Sequence, residues 1–448
     1  MINKYLEGSS SITPEYPERK KAMGKYRENI YCIPESIDRK EYILAKYLVQ
    51  KDTPDFIQYA ALMALEGSTG SWIQMPGETP ELVARHGAKV VHAFEVPDYE
   101  FKKPDGVRTF VVELAFPIVN FGHQIPMLLN TIIGVLSFMA HIKLVDLEFP
   151  EAFLRSFPGP QFGIEKMRQY LGVYNRPLCG GIIKPCVGLK PQDAAEIFYK
   201  MAVAGVDLVK DDEKMANTSY SSVSDRVNAC MAAAARAYEQ TGKKIYYAAN
   251  INDTPDRMLD NARAVQDAGG NLLMLSPLTC GYASLQKIAE SADVHLPIMA
   301  HPDFVGAVSK SENLGISSHI SLGKIPRICG VDISDFATPY GSAPNTREKF
   351  LSIHHALHSP MNNILPVWSQ VGGAMNPGQV KAVMDDLGND IILAAGGGVH
   401  AHPMGTTAGA KALVQAVDAV SVGRDLRDAA EEFVELKTAL DLWGIVGE

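Results

Sequence analysis

The sequence predicts an α/β protein in which a C-terminal (β/α)8 TIM barrel follows a smaller α+β domain. Three observations predict it. Past residue 158, eight short apolar runs alternate with amphipathic helical segments. Before it, strand-like runs interleave with only two helical stretches. Polar and glycine residues collect where the later runs stop.

At 448 residues the chain exceeds what one core usually supports, so two domains are expected. The make-up, 46% hydrophobic and 21% charged, is that of a soluble globular protein. A net charge of −9 without a basic cluster argues against a nucleic-acid surface. Six cysteines (32, 179, 186, 230, 280 and 329) form no CxxC pair, the pattern of reduced thiols in a cytosolic protein. The N-terminus lacks the apolar core of a signal peptide. The stretch IPMLLNTIIGVLSFMA (125–140) carries Asn130 and falls short of a membrane span, so a core helix is expected there. A cytoplasmic protein with no membrane or nucleic-acid partner is the expectation.

Residues 1–40 are polar and punctuated by proline, an irregular arm. Over 41–157, EYILAKYLVQ, AKVVHAFEVPD, TFVVELAFP and IKLVDLEF read as strands, with helices at PDFIQYAALMALEG and 125–136. The turn-rich SFPGPQFG (156–163) marks the boundary. The domain 158–448 then repeats LCGGIIKP, VDLVKDD, KIYYAAN, NLLMLSP, LPIMAH, GVDISDFATP, ILPVWSQ and DIILAAGGG, with helical segments such as PQDAAEIFYKMAVAG between them.

Barrel enzymes carry their chemistry at the C-terminal ends of the strands. Those ends hold Lys184, the run Lys210-Asp211-Asp212-Glu213, Asn250, His301, Gln370 with Gly372-Gly373, and Gly396-Gly397-Gly398 before His400. Asp212 and Glu213 suit Mg2+, which takes oxygen ligands and leaves room for water and substrate. An adjacent ammonium repels such a cation, but a neutral lysine amine can add CO2 and become a carbamate, an anionic oxygen ligand. The plain alternative is a solvated, salt-bridged turn. The backbone N–H groups of Gly396–Gly398 can cradle a phosphate, helped by Gly372-Gly373, although glycines also serve tight turns. His301 directly ends a strand, which favours the barrel mouth over the packed or surface histidine that a single His usually is. A lysine that faces a metal site, as Lys184 does, can work as acid or base.

GGIIKP…GLKP, GVDLVKDDE, AHP and AAGGGVHAHPMG, with EGSTGSW at 66–72, resemble the large subunit of ribulose-bisphosphate carboxylase. The similarity runs in order from about residue 41 to the C-terminus and is closest to the non-carboxylating, form IV RuBisCO-like proteins. It implies a ferredoxin-like N-terminal domain and a homodimer or higher homo-oligomer with active sites shared between subunits. It also implies that Lys210 is carbamylated and binds Mg2+ with Asp212 and Glu213. Lys184 becomes the acid/base lysine, with His301 as a second catalytic candidate. Gly373, Gly396 and Gly397 would hold a phosphate, and Glu66, Ser71 and Trp72 would be lent by the neighbouring subunit.

Four departures bear on activity. Cys186 stands for the second lysine of the family's KPK, and Pro302 for an arginine that grips a phosphate. GSAPN (341–345) lies near the place of the CO2-facing lysine, and Val135 falls where the metal-side asparagine is expected. These changes disfavour carbon fixation and a bisphosphate substrate, so a monophosphate is expected. NFGHQIPMLLNTIIG, SFPGPQFGI and ELKTALDLWG resemble the 2,3-diketo-5-methylthiopentyl-1-phosphate enolase branch, whose base is a lysine at the position of Val135. Decarboxylation of a phosphorylated 3-oxo sugar acid, of the 3-oxo-isoapionate 4-phosphate type, needs no such base and is favoured. The enolase, with Lys184 as a replacement base, and a sugar-phosphate isomerase remain alternatives. A catalytically silent barrel has no need of an intact KDDE, Lys184 and glycine triplet.

Overall fold

The computed structural model describes residues 30–71, 75–342 and 345–447. The chain divides into two compact units, one reaching Gly122 and resuming at Met127–Pro150, the other made of His123–Pro126 and Glu151 onward.

The N-terminal unit contains strands β1 (Tyr42–Lys51), β2 (Lys89–Glu95), β3 (Arg108–Pro117) and β4 (His141–Glu148). Within it they lie in the order β4-β1-β3-β2, and every pairing is antiparallel. Helices join β1 to β2 and β3 to β4, which is the ferredoxin-like arrangement that the sequence implied. The Phe56–Glu66 helix starts at Asp55, whose carboxylate accepts from Gln58 N at 2.9 Å, and it buries Ala60, Ala61, Met63, Ala64 and Leu65. A short helix that the sequence reading did not anticipate, Pro80–His86, is capped by Thr79. The helix expected over 125–136 is broken instead. Ile125–Leu129 leads into a wide π turn, Asn130–Gly134, and the helix resumes at Leu136–Met139. The buried Tyr47 hydroxyl donates to Ile132 O in that wide turn at 2.6 Å.

The second unit is the expected barrel. Its strands are β5 (Leu178–Ile182), β6 (Leu208–Lys210), β7 (Tyr246–Asn250), β8 (Leu272–Leu275), β9 (Ile298–Ala300), β10 (Ile333–Ala337), β11 (Trp368–Gly372) and β12 (Ile391–Ala395). All pair in parallel with their neighbours and the sheet closes, β12 onto β5 and β9 onto β10.

Successive strand residues face opposite sides, so every second residue points into the barrel. Leu178, Leu208, Tyr246, Ala248, Leu272, Met274, Met299, Ile333, Trp368 and Ile392 form one buried interior cluster. Met167 joins it from the Gly163–Leu171 helix, and Phe162 and Leu171 pack against it. Asp332 fixes that segment by accepting from Phe162 N and Gly163 N, both at 2.8 Å. Among the described residues no helix is long and apolar enough to cross a membrane.

Candidate active site

The same alternation that fills the interior also builds the site. Two residues beyond Leu208 and Ile333, the inward positions hold Lys210 and Asp335. After Ala248, Met299 and Trp368 come Asn250, His301 and Gln370. The apolar interior is thus topped by a polar layer at the C-terminal rim.

Lys210 is completely buried. Its ammonium makes one long hydrogen bond, 3.3 Å to Asp211 O, and lies 3.7 Å from Glu213 Oε2. Asp211 turns away from it. Its carboxylate accepts from Arg226 Nε at 2.9 Å, the Tyr247 hydroxyl at 2.6 Å and Asn250 N at 3.0 Å. Arg226 also donates to Ser221 O at 3.0 Å and Met215 O at 3.3 Å, fastening the loop that follows the charged run. The first of the three carboxylates is an anchor, and the other two are presented to the mouth.

Asp212 accepts from Lys184 Nζ and, at 3.0 Å, from Lys214 N. Burial alone raises its pKa, but the Lys184 hydrogen bond and the Lys214 backbone donor outweigh it and hold the carboxyl below the usual range. Glu213 accepts from Lys214 Nζ at 2.8 Å. Against burial, that bond and the nearby His301 and Lys210 bring its pKa down to about 2. Lys184 also lies 3.4 Å from Cys186 Sγ; burial lowers its pKa, but the contacts with Asp212 and Cys186 raise it overall.

His301 places Nε2 3.5 Å from Glu213 Oε2 and 3.7 Å from Asp335 Oδ2, too far for hydrogen bonds. Its buried Nδ1 has no hydrogen-bond partner. Burial and then Lys210 push its pKa down to about 3, so the imidazole is neutral near pH 7.

The glycines stand as the sequence suggested. Gly373 follows β11 with φ +74°, and Gly396 and Gly397 open the short turn after β12. A Cβ on Gly396 would lie 3.3 Å from Lys184 Cε, which places this turn beside the lysine. A Cβ on Gly397 would meet nothing within 4 Å, whereas one on Gly398 would strike Met375 O at 2.3 Å. Gly397 and Gly398 begin a helical turn, where N–H groups lack intrahelical acceptors. His400 is occupied elsewhere, with Nε2 on Ile182 O at 2.7 Å and Nδ1 on Thr406 Oγ1 at 3.1 Å.

Lys184, Lys210, Asp212, Glu213, His301 and the glycines therefore gather at one rim. Glu66 lines a cavity of about 460 Å3 within the N-terminal unit, together with His86, Asn120, Asn130 and Val135. Ser71 is half-buried, and Trp72 lies outside the described residues. Asp335 and Lys214 were missed by the sequence reading. Counting two residues on from Ile333 would have found Asp335; Lys214 directly follows the charged run.

Fold and site together define a chain of two units whose barrel carries a lysine–carboxylate cluster at its C-terminal rim. Residues 31–153 match the N-terminal domain, and 163–443 the catalytic domain, of the ribulose bisphosphate carboxylase large chain. A "Ribulose bisphosphate carboxylase-like protein" of Archaeoglobus fulgidus is 41% identical over 96% of this chain and 97% of its own. A "2,3-diketo-5-methylthiopentyl-1-phosphate enolase" of Geobacillus kaustophilus is 37% identical over 90% of this chain and 98% of its own. The crystal structure of a rubisco-like protein (MtnW) from Alicyclobacillus acidocaldarius superposes with a TM-score of 0.84 at 34% identity, over 90% of this chain and all of that one. This chain belongs to the RuBisCO large-chain family, as a form IV RuBisCO-like protein near the enolase branch.

Proposed function

We propose that this chain is a Mg2+-dependent enzyme that forms an enolate from a phosphorylated, sugar-derived keto compound by decarboxylating a 3-oxo sugar-acid phosphate. The observation that carries this reading is a contrast between two positions. The barrel keeps a lysine donor on Asp212, whereas position 135, on the N-terminal cavity, is valine, which cannot accept a proton.

The residues present fit a magnesium site. Asp212 and Glu213 already neutralise two lysine ammonium groups. Among the described residues no three His, Cys, Asp or Glu side chains are arranged to hold a metal ion. Lys210 stands beside the pair with its ammonium poorly satisfied. As a neutral amine it adds CO2, forming an N–C bond and releasing a proton, and so becomes an oxygen ligand. Bound there, Mg2+ supplies Lewis-acid stabilisation of negative charge on a substrate oxygen.

Gly373, Gly396 and Gly397 hold the phosphate through backbone N–H groups. The bond from the substrate's α-carbon to its carboxylate breaks, CO2 leaves, and the electron pair stays on the carbon skeleton as the enolate. Lys184 delivers the single proton needed, and neutral His301 orients the substrate. Glu66, Ser71 and Trp72 of a second copy complete each site in a homodimer or larger assembly. Carbon fixation is not expected, because Pro302 and the 341–345 segment lack the cations that reaction uses.

A second reading, the diketone enolase, is favoured by the Geobacillus relative. Assaying CO2 release from 3-oxo-isoapionate 4-phosphate beside enolisation of 2,3-diketo-5-methylthiopentyl 1-phosphate separates the two. Efficient enolisation without CO2 release from the sugar acid overturns the decarboxylase.

A further inference from the structure

Asp335 points into the mouth from β10, two residues above the interior Ile333, and it is 5% exposed. No hydrogen bond of ordinary geometry reaches its carboxylate from the described residues, although the Gln370 amide comes close enough to act as a weak donor; the neutral His301 places Nε2 3.7 Å away. Gln370, its partner in register on β11, lies alongside, yet neither its Nε2 nor its Oε1 finds a well-placed hydrogen-bond partner. Burial raises the Asp335 pKa to about 6, with Lys210 and Gln370 opposing and Glu213 and Asp303 reinforcing. Beside it stands Gly372, where a Cβ would come within 3.3 Å of Oδ1, so the glycine keeps that flank open.

A buried carboxylate without a well-placed donor is costly, and a substrate group that supplies one relieves the cost. Lys184, Lys214 and the Mg2+ that the site would hold make the rim unwelcoming to a substrate cation, which leaves a neutral donor. A second phosphate or carboxylate would meet Asp335 charge to charge.

We propose that Asp335 is a specificity-determining residue: its carboxylate accepts a hydrogen bond from an uncharged hydroxyl of the substrate and keeps a second anionic group off that side of the mouth. This rests on the phosphate reading of the glycine turns and deepens it. The substrate class becomes a polyhydroxylated monophosphate, distinct from a bisphosphate and from a chain whose far end is a thioether.

Calorimetric titration with three inert probes tests it, in Mg2+ and bicarbonate: a pentitol 5-phosphate, pentyl phosphate and a pentitol 1,5-bisphosphate. The wild type is expected to bind the pentitol monophosphate about 10- to 100-fold more tightly than pentyl phosphate. Asp335→Leu should erase that preference, and Asp335→Asn should tighten bisphosphate binding. Both variants should melt close to the wild-type temperature or above it, because the buried carboxylate has only the weak Gln370 donor to lose. A preference that survives Asp335→Leu overturns the inference, as does a marked fall in melting temperature for both variants. Equal binding of all three probes by the wild type overturns this inference alone. Failure of the wild type to bind any of them overturns the phosphate reading, and this inference with it.

Discussion

Replacing Arg226 by methionine removes the cation from a fully buried ion pair. Neither Arg226 nor Asp211 is exposed, and their Nε–Oδ2 distance is 2.9 Å. The variant leaves the Asp211 carboxylate with only the Tyr247 hydroxyl and the Asn250 N–H. It also frees the Ser221 and Met215 carbonyls that tie down the loop after the charged run. Stranding one partner of a buried pair costs about 3–5 kcal/mol, against a whole stability of about 5–15 kcal/mol. At about 2–4 °C per kcal/mol this lowers the melting temperature by about 6–20 °C. Adding Asp211→Asn removes the stranded charge and keeps one acceptor oxygen, enough for Asn250 N while the Tyr247 hydroxyl turns to accept from the amide NH2, so the double variant should regain part of the loss. Urea unfolding of the wild type, single and double variants measures it. A single variant within about 1 kcal/mol of wild type, or a double variant no better than the single, would refute the assignment of Asp211 as an anchor.

On a phosphorylated 3-oxo sugar acid, Lys184→Ala should slow product formation by about 10²–10⁴-fold, and deuterium from solvent should enter the wild-type product at the carbon that lost CO2. Ribulose bisphosphate with labelled bicarbonate should give no labelled phosphoglycerate above background; robust incorporation would overturn the significance given to Pro302. Burial pushes the stacked pair His354 and His358 down to about 4 and about 3. A depressed folded-state pKa means that the unfolded chain binds the proton first, so these histidines contribute stability above their ordinary pKa near 6.5 and lose it as pH falls towards 3. Melting temperature followed from pH 7 to 4 should therefore drop, and less steeply in His354→Gln/His358→Gln.

The barrel was legible because each strand is a short apolar run that stops at a polar or glycine residue, as VDLVKDD and AAGGG do. Lys210, Asp212 and Glu213 were legible because they share one such end. The role of Asp211 was not, since its partners Arg226 and Tyr247 lie 15 and 36 residues away in sequence and meet it only in the fold. Asp335 was hidden because its meaning depends on facing inward, a matter of register and not of motif. The Pro80–His86 helix is seven residues long with one buried side chain, too little periodicity to detect. The break at Asn130–Gly134 interrupts a run whose composition reads as one continuous helix.

Lys210 is proposed to capture CO2 and so complete a magnesium site. Carbon-13 NMR of the protein with labelled bicarbonate tests it most directly, with and without Mg2+ and with Lys210→Ala as the control. One carbamate resonance per chain is expected, strengthened by Mg2+ and absent from Lys210→Ala. A wild-type protein that binds Mg2+ equally well without CO2 and shows no carbamate signal would contradict it.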